Sequence, residues 1–139
     1  MKKLSYFFFY TYIGLVALAG FWGAFIYPAF DFRFLFEMDV QQLPDFQRIN
    51  LLSQYRFLRA LELGFGIFSL VFVRQIFSEN LLNRLFLFIM LSGILARVFS
   101  LLFDGYPGKL TWFFLIYETV GWITIFSYTK NRINYGNAR

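Results

Sequence analysis

LSYFFFYTYIGLVALAGFWGAFIY, Leu4 to Tyr27, decides the fold class. No residue from Leu4 to Phe30 is charged, and that run of about 27 residues exceeds the roughly 20 a helix needs to cross a hydrocarbon core. Lys2 and Lys3 ahead of it would suit a signal peptide, but the apolar run is too long and no small-residue cleavage site closes it. An uncleaved first span over about 4–27 is expected. Gly14, Ala17, Gly20 and Gly23 recur on it at helical spacing, the small-residue pattern that lets helices approach closely. Pro28 should end this helix, with Trp22 and Tyr27 at the level of an interfacial aromatic belt.

Composition agrees. Hydrophobic residues make up 59% of the chain and charged ones 15%, with a mean hydropathy of +0.57; soluble domains run nearer 45–50% and 25%. The 139 residues leave room for four spans in a single domain, 1–139. The 22 phenylalanines suit lipid-facing positions and receive no specific role. The net charge of +5 comes from bases at the ends of apolar segments, so it speaks for membrane orientation rather than nucleic acid. Cysteine and histidine are both absent. Disulfides, thiolate chemistry, imidazole-ligated metals and histidine acid/base catalysis are thereby excluded, and no catalytic, cofactor or metal residues are assigned.

Three further spans follow. Counting back about 20 residues from Arg74 starts the second near Ser53, giving 53–73; the third covers 85–103 and the fourth 110–128. Asp104 to Gly108 reads as a tight turn, and Asn80 to Asn83 as part of a short connection. Between the first two spans, Phe30, Phe32, Phe34, Phe36, Met38 and Val40 alternate with mostly polar residues, a strand period; an extended lid or interfacial segment is expected there. The fold expected is all-α, an integral membrane four-helix bundle. With both termini cytoplasmic, that side holds Lys2, Lys3, Arg74, Arg84, Lys130, Arg132 and Arg139 against Glu79 alone, as the positive-inside rule requires.

Charge within the spans is the functional clue. Arg97 lies seven residues inward from Asp104 and Glu118 eight inward from Leu110, about 10–12 Å below the outer face at 1.5 Å per residue. Glu62 reaches a similar level from Ser53, with Arg59 one turn above and Asp104 at the rim. Gly93, Arg97, Ser100 and Asp104 share one helical stripe. Ionisable groups in lipid are costly and usually serve pairing or function. Arg97 is therefore expected to contact Glu62 or Glu118, either as a clamp on the bundle or as part of an outward-opening pocket bounded by Arg59, Glu62, Arg97, Ser100, Asp104 and Glu118. Gly64 and Gly66 lack the context of a dinucleotide fingerprint and are assigned to packing.

The run Ala96 to Pro107, preceded by Arg59, Glu62 and Gly64 and followed by Glu118, resembles a family of small four-span bacterial membrane proteins known only as a domain of unknown function. It is also loosely similar to the DoxX-like four-helix membrane proteins. The resemblance covers most of the chain from Arg59 onward, implies four spans and a bacterial inner membrane, and supplies no catalytic assignment.

The leading functional expectation is binding or transport of a small or lipid-like ligand in the outward-facing polar pocket. An accessory subunit of a larger membrane complex is the alternative, and a carboxylate-dependent enzyme acting on lipid or isoprenoid comes third. Expected partners are the lipid bilayer, a small polar or lipid-like ligand, and other copies of the chain or a larger membrane complex; nucleic acid is not among them.

Overall fold

The computed structural model describes residues 1–136, so Arg139 of the basic tail lies outside the described residues. Six α-helices follow one another: α1 (Lys2–Phe21), α2 (Pro28–Phe36), α3 (Asp45–Val71), α4 (Val73–Ser78), α5 (Asn80–Phe103) and α6 (Lys109–Gly136). A π-helical turn, Trp22–Ile26, extends α1, and a 3-10 turn, Val40–Gln42, precedes α3. Every regular element among the described residues is helical. Three stretches, Lys2–Ile26, Asn80–Phe103 and Lys109–Ile133, are long and apolar enough to cross a membrane. α3 has the length, but Arg56, Arg59 and Glu62 keep it out of that set by composition.

The helices outrun the apolar stretches that announce them. α3 starts at Asp45 rather than near Ser53, and α5 at Asn80, so the Asn80 to Asn83 stretch is helix rather than connection. Backbone hydrogen bonding continues past the point where side chains turn polar, because nothing in those polar residues breaks it.

The extended segment expected between the first two spans is instead helical. Pro28 sits at the first position of α2 and Asp31 in its first turn, both helix-starting signals. A run of apolar residues at every second position satisfies i, i+4 as well as i, i+2. Phe30 stacks on Phe34 at 5.8 Å and Phe32 meets Phe36 at 5.5 Å, so the helix uses the same phenylalanines that suggested a strand. It ends at Glu37, whose φ of 52° is left-handed, with the Glu37 N–H and the Met38 N–H, the latter at 3.1 Å, both donating back to the Phe32 carbonyl, so that a left-handed residue closes the helix.

Two compact units divide the chain. One contains residues 1–12 and the chain from Ser69 onward, the other Ile13–Phe68. In the first, Phe9 packs on Phe77 and Phe86 at 5.4 and 5.2 Å, and Tyr6 stacks on Phe77 at 4.1 Å. Trp122 donates to the Leu87 carbonyl at 2.9 Å, tying α6 to α5. Gly105, at φ +108°, gives the 104–108 turn a conformation that a side chain rarely adopts. In the second unit, Ala29, Phe32, Val40 and Tyr55 form the core, joined by Met38, Leu43, Leu51 and Leu52. A Cβ on Gly20 would stand 2.6 Å from the Leu63 amide nitrogen, and one on Gly66 2.8 Å from the Ala17 Cβ. α1 and α3 therefore approach backbone to backbone, the use expected of the small residues. Gly14 and Gly64 face open space and do not take part.

Both units leave large apolar side chains uncovered, among them Leu18, Phe34, Phe88 and Leu102. Apolar exposure on this scale matches a surface meant for lipid rather than water.

Candidate functional site

α3 carries Tyr55, Arg59 and Glu62 at i, i+4 and i+7, which places them on one face. α2 brings Asp31 against that face. The Tyr55 phenol donates to the Asp31 carboxylate at 2.8 Å and accepts from Arg59 Nε at 2.8 Å. Arg59 Nη2 lies 3.3 Å from Asp31 Oδ2, and Arg59 Nη1 donates to Glu62 at 2.6 Å. The guanidinium also stands over the Tyr55 ring, 4.9 Å from its centroid. Asp31 and Tyr55 are buried at 8% and 9% exposure, and only 12% of the Arg59 side chain is accessible against 35% for Glu62. Glu62 is thus the open edge of an otherwise enclosed network.

The backbone beside it is built for this purpose. Pro28 has no N–H, so the Ala24 carbonyl loses the donor that an α-helix would give it four residues on. Arg56 Nη1 donates to that carbonyl instead, answering the need of a buried backbone acceptor. Gly23, in the same π-helical turn, lies so close that a Cβ there would stand 2.7 Å from both Arg59 Cγ and Asp31 Oδ2. π-helical turns frequently mark functional sites; here the turn makes room for the ion pair.

An open groove of about 470 Å³ lies against this network. Phe32, Phe36, Met38, Leu51 and Leu58 supply an almost wholly apolar wall, which Gln54 and Tyr55 complete. Tyr55 belongs to both features: its ring lines the groove and its hydroxyl joins Asp31 to Arg59.

The other unit holds a second ion pair. Arg97 on α5 donates to Glu118 on α6 through Nε at 3.0 Å and through Nη2 at 3.3 Å, a side-on, two-point contact. Beside Glu118, Tyr117 is hydrogen-bonded to Thr11 of α1. Ser100 contributes a carbonyl that accepts the Asp104 N–H at 2.8 Å, while the Asp104 side chain is exposed and forms no ion pair among the described residues. Of the six residues singled out in the sequence, Arg59 and Glu62 therefore meet in one unit, and Arg97 and Glu118 in the other.

Asp31 and Tyr55 were missed. Tyr55 stands one helical turn before Arg59, a signal the spacing contained. Asp31 was hidden by the strand-like alternation around it, although Pro28-x-x-Asp31 is also the opening of a helix. No group of three or more metal-binding side chains occurs among the described residues.

The model of a domain of unknown function, DUF4345, matches residues 4–128. No curated protein matches the chain, and no solved structure matches it. Since the match takes in every residue of both ion-paired clusters and nearly all of the chain, the protein belongs to the DUF4345 family.

Proposed function

We propose that this is a four-span membrane protein that binds an amphiphilic ligand, with the apolar part in the groove between α2 and α3 and the polar part against Glu62, Arg59 and Tyr55. The observation that carries the reading is the double role of Tyr55, which makes one residue both groove wall and member of the buried polar network. Apolar walls with a few convergent polar groups are what small-molecule sites are made of. α3 serves as the second span. Asp31 and Glu62 neutralise Arg59 and the Ala24 carbonyl engages Arg56, which lowers the cost of carrying those charges into the bilayer.

Lys2, Lys3, Arg74, Arg84, Lys130 and Arg132 favour cytoplasmic termini, and in that orientation the groove, beside the far end of α1, faces outward. A bacterial inner membrane and a likeness to DoxX-like bundles are the setting that the sequence resemblance implies. The test is retention of a co-purifying amphiphile in detergent. Glu62→Gln should release it with little change in the melting temperature, because Glu62 is the exposed edge of the network; unaltered retention would place the ligand elsewhere.

A further inference from the structure

Where α5 begins and α6 ends, their side chains border a half-open cavity of about 270 Å³. Arg84 and Lys130 line it together with Asn80 and Asn83, whose amide donates to the Ile76 carbonyl at 2.9 Å, and Leu87, Phe126 and Ile133 complete its walls. Lys130 Nζ stands over the Phe126 ring at 5.8 Å. Neither Arg84 nor Lys130 forms an ion pair among the described residues. Glu79, the adjacent acid, is not part of the lining and pairs with neither base. Asn80 opens and Ile133 closes two of the three stretches that are long and apolar enough to cross a membrane, which puts the cavity at headgroup depth whichever way the chain is inserted.

We infer that this cavity is a binding site for a phosphate ester carried by an anionic phospholipid. Two uncompensated cations recognise the phosphate, Asn80 offers a neutral donor, and Leu87, Phe126 and Ile133 accept the first methylenes of the acyl chains. Basic pockets between spans at the headgroup level bind anionic lipids in this manner. The site is independent of the groove between α2 and α3, with which it shares no residue.

The experiment uses the full chain, stripped of lipid in a neutral detergent, and reads lipid retention by native mass spectrometry. Phosphatidylglycerol, phosphatidylcholine and inorganic phosphate are supplied separately to the wild type, to Arg84→Gln/Lys130→Gln, and to Lys2→Gln/Lys3→Gln as a control of equal charge loss. The wild type and the control should retain phosphatidylglycerol in preference to phosphatidylcholine. The Arg84→Gln/Lys130→Gln protein should hold it roughly twenty-five-fold more weakly, the product of about fivefold for each base near an anionic headgroup, with its lipid-free melting temperature unchanged. Equal retention by that variant, or no preference for the anionic lipid, overturns the site. Binding of inorganic phosphate as strong as that of phosphatidylglycerol overturns the lipid assignment.

Discussion

Tyr55 donates its phenolic proton to Asp31 across 2.8 Å, joining α3 to the short helix that precedes it. Both residues are buried, and the same hydroxyl accepts from Arg59. The phenol thus stands between a carboxylate and a guanidinium that also touch directly. Removing either acid or phenol leaves the others short of a partner where water cannot replace it.

Asp31→Ala should therefore destabilise the protein by about 3–5 kcal/mol, the usual cost of stranding one member of a buried ion pair. Tyr55→Phe should cost less, about 1–3 kcal/mol for an unsatisfied buried acceptor. Unfolding in detergent measures both, and the double variant should fall well short of the sum because the two groups share one network.

Close approach of α1 and α3 gives a prediction of opposite signs along one helix. Gly20→Ala places a methyl 2.6 Å from the Leu63 nitrogen, where backbone cannot yield, and overpacking of this kind costs about 1–3 kcal/mol. Gly14→Ala meets nothing within 4 Å and should stabilise α1 by up to about 1 kcal/mol through helix propensity. Melting temperatures of the two single variants decide it.

For Arg97 and Glu118, single and paired replacements should differ in order. Arg97→Leu leaves Glu118 without its two-point partner and should lower the melting temperature. Replacing both by leucine should restore much of the loss, since an apolar pair avoids the desolvation of two charges. A double variant less stable than Arg97→Leu alone would assign the carboxylate a role beyond pairing.

Asp39, outside the spans, gives the pH dependence. The Gln41 N–H, donating to its carboxylate at 3.1 Å, holds its pKa below the ordinary carboxylate value, with Arg33 adding to the effect. A group whose folded pKa is lowered stabilises the fold above its unfolded pKa, and that stability is lost as pH falls through the folded value. Acidification below the carboxylate range should then weaken wild type more than Asp39→Asn, as read from melting temperature against pH.

Charge-free length made α1 legible, and α5 and α6 were nearly as plain because a single charge each, Arg97 and Glu118, interrupts their apolar spans, and long apolar runs have few other uses. α3 was legible only in part: its charged residues obscure the hydropathy signal, and their partners come from elsewhere in the chain. Arg59 and Glu62 could be picked out as charges set in an apolar sequence, and Arg97 could be assigned an acid, for one physical reason: apolar surroundings offer ions no other company. That Asp31 also pairs with Arg59 could not be read. That depended on whether Phe30 to Phe36 was helix or strand, and phenylalanine at every second position fits both periods. Pro28 and the left-handed closure at Glu37 tip the balance, the second of which exists only in three dimensions.

The central claim, that the groove beside Tyr55 holds an amphiphile, is tested most directly by native mass spectrometry of the purified wild type against Leu58→Trp. Leu58 lines the groove and is half exposed, so an indole there fills the space without disturbing the Asp31–Tyr55–Arg59 network. The wild type should retain a bound amphiphile of defined mass, and Leu58→Trp should lose it at an unchanged melting temperature. Retention of the same mass by both proteins would contradict the account.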